Sequence, residues 1–107
     1  MIKAIKTTNI ETEIELVTPF YYNYTNERNS FSMIGIVTDT SIMEITIEKA
    51  RNGNVQSYEI AFVKNPQPGE VYPYMWENKI TEDEFDNLYL SVQNTICNAY
   101  RVSKGEE

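Results

Sequence analysis

Residues 43–62 read MEITIEKARNGNVQSYEIAF, and this stretch decides the fold. Asn52-Gly53 is the favoured pair for a two-residue type I′ turn, in which both central positions need positive φ. Closing the chain there sets Arg51 opposite Asn54 and Ala50 opposite Val55. Counting back, Ile47 meets Tyr58, Ile45 meets Ile60 and Met43 meets Phe62, all on one face. The other face receives Glu48 with Ser57 and Thr46 with Glu59. A one-residue slip would mix apolar and polar sets, so the register is well specified. The expectation is a hairpin that buries the three apolar pairs.

The flanking segments extend this sheet. From Ile10 to Val17 the chain alternates, with Ile10, Thr12, Ile14 and Leu16 on one side and Glu11, Glu13 and Glu15 on the other. That pattern predicts a half-buried strand. Pro19 marks a bend or an edge, since proline cannot donate to a ladder. The aromatic run Phe20, Tyr21, Tyr22, Tyr24 follows, then a turn over residues 26–30. Phe31 to Thr38 is apolar on both parities, which predicts a strand covered on both faces.

Downstream, Asn65 to Lys79 reads as a long loop broken by Pro66, Pro68, Gly69 and Pro73. A helix begins after Thr81. Thr81 and Glu84 have capping-box spacing, and Ile80 with Phe85 can form a hydrophobic staple. Glu82, Asp83 and Asp86 suit the positive end of the helix dipole; Arg101 and Lys104 suit the other. Phe85, Leu88, Tyr89, Val92, Ile96 and Ala99 make one apolar stripe, and Gly105 can end the helix. The reading is a single α+β domain, residues 1–107: a four-stranded antiparallel β-meander (β-β-β-β-α) with one C-terminal helix packed on a sheet face.

Composition narrows the function. The chain of 107 residues carries a net charge of -7 and no histidine. Negative charge disfavours direct binding to nucleic acid or to anionic membranes and favours a protein partner with a basic surface. No apolar leader or bilayer-spanning stretch is visible. The single cysteine, Cys97, fits a reducing compartment, so the expected setting is the cytoplasm of a bacterial or virus-infected cell, or a virion. Abundant Ile, Asn and Tyr with scarce Ala and Gly point to an AT-rich genome such as those of many bacteria and phages. Asn23-Tyr24-Thr25 matches a glycosylation sequon, which is read as chance without a secretion signal. Without histidine, Ser-His and Cys-His nucleophile systems and His-ligated zinc sites are excluded. No calcium-loop spacing occurs and nothing marks a carboxylate pair for hydrolysis, so no cofactor and no enzyme activity are expected.

Two groups remain as candidate partner-binding residues. Glu11, Glu13 and Glu15, with Glu44, Glu48 and Glu59 on the polar face of the hairpin, could form one acidic docking face. An antiparallel sheet exposes such a face to solvent in any case. Tyr72, Tyr74 and Trp76, with Phe20, Tyr22 and Tyr24, could form an aromatic contact patch. The competing reading is a loop that folds back to cover its own core. Leu90 and Cys97 lie seven apart on a second helix flank; Cys97 reads as a small buried hydrophobe and Leu90 as an exposed contact residue or one that touches the aromatic loop. These features predict a non-enzymatic protein-interaction or structural module, such as a subunit of a larger phage-type assembly, with homo-oligomers allowed. An acidic nucleic-acid mimic that inhibits a host defence enzyme is the alternative. A small-molecule or sugar-binding domain built on the aromatic loop is the third.

Overall fold

A computed structural model describes residues 1–7, 11–26, 28, 30–52, 55–71 and 74–105, without the side chains of 6–7, 11–14, 55–56 and 74. In chain order the elements are β1 (Ile2–Thr7), β2 (Glu11–Leu16), β3 (Phe20–Asn26), β4 (Phe31–Val37), β5 (Ser41–Lys49) and β6 (Val55–Lys64). A 3-10 turn (Pro68–Glu70), α1 (Tyr74–Glu77), β7 (Lys79–Ile80) and α2 (Glu82–Ser103) follow. The fold is α+β with an antiparallel sheet and a C-terminal helix, but the sheet has five strands, not four, in the order β6-β5-β4-β3-β7. The meander is present as β3 to β6; it starts at the aromatic run rather than at Ile10. The Ile10–Val17 strand instead pairs with β1 in a separate two-stranded sheet. Proline at 19, here in a cis peptide with Thr18, separates the two sheets.

The hairpin register is as the sequence requires. Met43 pairs with Phe62, Ile45 with Ile60 and Ile47 with Tyr58. Near the turn it departs: Lys49 pairs with Val55, with an irregularity between Glu48 and Lys49. The expected pairing of Ala50 with Val55 therefore fails, because a bulge absorbs a residue. The Asn52-Gly53 turn itself lies partly outside the described residues.

The sheet is covered on both faces. On one side, Phe20 and Tyr22 of β3, Val37 of β4 and Ile42 of β5 meet Ala4 and Leu16 of the β1-β2 hairpin. Val71 and Met75 from the 65–79 segment complete that layer. On the other side, Ile34 and Ile45 pack against Phe85 and Val92 of α2. Tyr21, Ile36, Met43, Ile80 and Leu88 pack around them. Central β4 has Met33 and Val37 buried on one parity and Ile34 on the other, as its doubly apolar sequence predicts.

The helix starts where the capping box puts it. Thr81 Oγ1 accepts from the Glu84 amide at 3.1 Å, and the Glu84 carboxylate accepts from the Thr81 amide at 3.4 Å and hydroxyl at 3.0 Å. Ile80 and Phe85 share the helix-side cluster, as a staple should. At the far end Gly105 takes φ +82° and its amide donates to the Val102 carbonyl. Among the described residues, no helix is long and apolar enough to cross a membrane.

Candidate protein-binding surface

The glutamates whose side chains are described, Glu15, Glu44, Glu48 and Glu59, sit in different settings. β2 places Glu11 opposite Thr7 and Glu13 opposite Ile5, with their side chains outside the described set. Glu15 is exposed and stands opposite Lys3. Glu44 is half-buried, and its carboxylate accepts from the Tyr22 hydroxyl, which ties it to the fold rather than to solvent. Gly35 sits between them in the row Tyr22–Gly35–Glu44. The missing side chain lets the Tyr22 ring cross β4, since a Cβ at Gly35 would lie 2.1 Å from ring atom Cζ. Glu48 and Glu59 are exposed on adjacent strands, and Glu48 also accepts from the Ser57 hydroxyl at 3.4 Å. They share the sheet face covered at its other end by the β1-β2 hairpin, opposite the face that carries α2.

The aromatic segment folds onto its own domain. Trp76 lies 6.0 Å from the Phe20 ring at 58° and packs against the hairpin-side core. Its Nε1 is buried and, among the described residues, unpartnered, so apolar contact holds the indole. Lys79 Nζ stands 5.9 Å over the Phe20 ring. Met75 and Val71 beside it are fully buried. Tyr72 lies outside the described residues, and of Tyr74 only the backbone, in α1, is described. An open cleft of about 350 Å³ lies elsewhere, between Thr25, Ser30, Phe31 and Lys49 at the far end of the sheet. It takes no residue from the aromatic segment.

The uncovered apolar surface is on the helix side. Only Phe85 and Val92 of α2 are buried. The stripe members Tyr89, Ile96 and Tyr100 are all exposed, Tyr89 one turn before the buried Val92 and Ile96 and Tyr100 past it. At ~1.5 Å per residue α2 is ~33 Å long; it lies chiefly over β3 and β4, and Phe85 and Val92 also pack with Ile45 of β5. Leu90 is exposed on a second flank, and so is Cys97, which corrects its reading as a buried hydrophobe. Past Val92 every residue of α2 is exposed. Ile60 and Phe62, expected in the core, are 60% and 58% exposed. Their register is right, but β6 is the edge strand, and of its three apolar residues on this face Tyr58 alone joins the cluster around Phe85 and Val92. Sequence reasoning misses this surface because periodicity marks which side of an element is apolar, not how far its cover extends.

Asp39 and Tyr21 titrate away from their ordinary values. The Met1 ammonium, 2.6 Å away, and the Thr18 hydroxyl hold the Asp39 carboxyl below its ordinary range. Partial burial under Phe85, then the charges of Glu82 and Asp86, push the Tyr21 phenol above its usual value. Neither lies in a cluster suited to proton transfer. Among the described residues, no group of three or more Cys, Asp or Glu side chains is placed to hold a metal ion. Comparison with family models, curated proteins and solved structures finds no match.

Proposed function

We propose that the chain is a non-enzymatic protein-interaction module, a subunit of a larger assembly, that docks through the projecting half of α2. The supporting observation is the stripe Tyr89, Ile96 and Tyr100, 39%, 40% and 64% exposed, at spacings of seven and four along α2. Residues so spaced lie on one helix face, and an apolar helix face seats in an apolar groove of a partner. Aromatic side chains suit such contacts because they bury much area with few rotors. The only charges in this half are Arg101 and, just past its end, Lys104, whose Nζ lies 5.6 Å over the Tyr100 ring. The groove itself therefore needs no basic lining. The net charge of -7 acts at longer range and favours a partner of net positive charge.

The test is affinity capture from source cells with wild type and with Tyr89→Ser/Ile96→Ser/Tyr100→Ser. The exposed side chains are not core, so the variant keeps its fold by circular dichroism. A partner retained by wild type and lost from the variant supports the reading. The same partner captured equally by both sinks it.

A further inference from the structure

We propose that β6 pairs with β6 of a second copy, antiparallel about a two-fold axis at Ile60, joining two five-stranded sheets into one. This goes beyond the helix-docking reading and does not depend on it. The two edges of the sheet differ sharply. The β7 edge is two residues long and carries Lys79; the β6 edge runs from Val55 to Lys64 and has no second neighbour among the described residues. Long free edges offer a row of amides and carbonyls to another strand, and soluble proteins usually blunt them with short length, proline or inward-facing charge. Here β6 lacks proline, and between Val55 and Phe62 its one charge is Glu59, on the face away from α2.

The occupant follows from the strand's own pattern. In an antiparallel pair, residues directly opposite point to the same face. An axis at Ile60 sets Ile60 against Ile60 and Phe62 against Tyr58 of the second copy, so three consecutive rows are apolar. The two most exposed apolar residues of the strand are thereby covered. On the other face Glu59 meets Ala61 and Ser57 meets Val63, with no like charges opposed. Pairing spans residues 56–64, nearly all of β6. Moving the axis to Glu59 would oppose two carboxylates, which is unfavourable. Moving it to Ala61 would shorten the overlap and place Lys64 against Tyr58. Because Ile60 and Phe62 stand exposed on the face that carries α2, that face of β6 is open to the neighbouring sheet past Tyr58.

Analytical ultracentrifugation of the full chain at about 100 µM, where even a weak dimer with micromolar Kd is populated, reads the state directly. A dimer is expected, and Ile60→Lys/Phe62→Lys should weaken it more than about ten-fold by opposing like charges across the axis. A wild-type monomer, or a dimer indifferent to that variant, overturns the proposal. Cross-linking fixes the axis and serves if the double lysine variant misfolds. In a Cys97→Ser background, Ile60→Cys should oxidise to a covalent dimer, since directly opposed Cα atoms lie ~4.5–5.5 Å apart, within disulfide range. Phe62→Cys should not, because an offset of four residues separates the two copies by ~13 Å. Faster cross-linking through Phe62→Cys than through Ile60→Cys rejects the register. Loss of the dimer in these tests leaves capture through Tyr89, Ile96 and Tyr100 unaffected, so the two readings fail separately.

Discussion

Gly35→Ala is expected to be far more damaging than its size suggests. The new methyl would meet three atoms of the Tyr22 ring at 2.1–2.4 Å, where ordinary contacts fall at 3.4–4 Å. The ring must retreat by more than an ångström, yet Tyr22 is fully buried among Leu16, Val37 and Met75. Overpacking of this kind costs ~1–3 kcal/mol. Retreat also takes the hydroxyl from the Glu44 carboxylate, and a hydrogen bond to a charged group is worth ~1.5–3 kcal/mol. The two effects share one movement, so the combined loss is set at about 3 kcal/mol rather than at their sum. For a domain near 100 residues that is a fall of about 12–24 °C in melting temperature. Urea unfolding and thermal melts measure it. The decisive control is Tyr22→Leu, which lacks the outer ring atoms. In that background Gly35→Ala should cost less than ~1 kcal/mol, giving a coupling near 2 kcal/mol in a double-mutant cycle. A Gly35→Ala protein within ~0.5 kcal/mol of wild type, or an equal cost in both backgrounds, would refute the ring-over-glycine account.

Further outcomes are open to measurement. Thr81→Ala removes the side-chain acceptor at the start of α2 and should destabilise by ~1 kcal/mol in urea titration, with Thr81→Ser close to wild type. Trp76→Ala should lower stability by about 3 kcal/mol, near the lower end for large aromatic truncations, because the indole is part of the hairpin-side layer; an unchanged melt would mean that it covers nothing. Tyr21 should ionise above 10 when followed by phenolate absorbance, while Asp86→Asn brings its titration back toward that value. Since its folded pKa is raised, the stabilisation tied to neutral Tyr21 is complete below the unfolded value near 10 and is lost as pH climbs through the folded one.

Local signals in the sequence carry most of what the structure bears out. The capping box at Thr81 and Glu84 needs only three residues of separation, and both of its hydrogen bonds form. The β5-β6 register follows from cross-strand sorting that one slip would destroy. Three strands are not legible: β1, β3 and the two-residue β7, which follows a segment read as loop. In β1, IKAIKT, two lysines interrupt three apolar residues, and among its described side chains Ala4 alone is buried. In β3, FYYNYTN, aromatic residues on both parities hide the alternation, although Phe20 and Tyr22 face the hairpin while Tyr21 faces α2. The exposure of Ile60, Phe62 and Cys97 escapes a local reading for one physical reason: it depends on where α2 lands, a long-range property with no local trace. The same limit holds for Glu44, whose partner Tyr22 reaches it across an intervening strand.

The two coverings of the sheet come from opposite ends of the chain, and this orders events during synthesis. The β1-β2 hairpin is made before the sheet it covers, whereas α2 is made after all of that sheet's strands. At ~5–20 residues per second, on the order of 3–12 s separate the emergence of Ile45 from that of Ser103. During that interval the neighbouring hairpins of the meander can form from contacts close in sequence, with Ile34, Ile36, Ile45 and Ile47 bare on one side. A ribosome stalled within residues 82–103 would therefore hold a half-clad sheet, a natural client for chaperones that recognise exposed aliphatic strands.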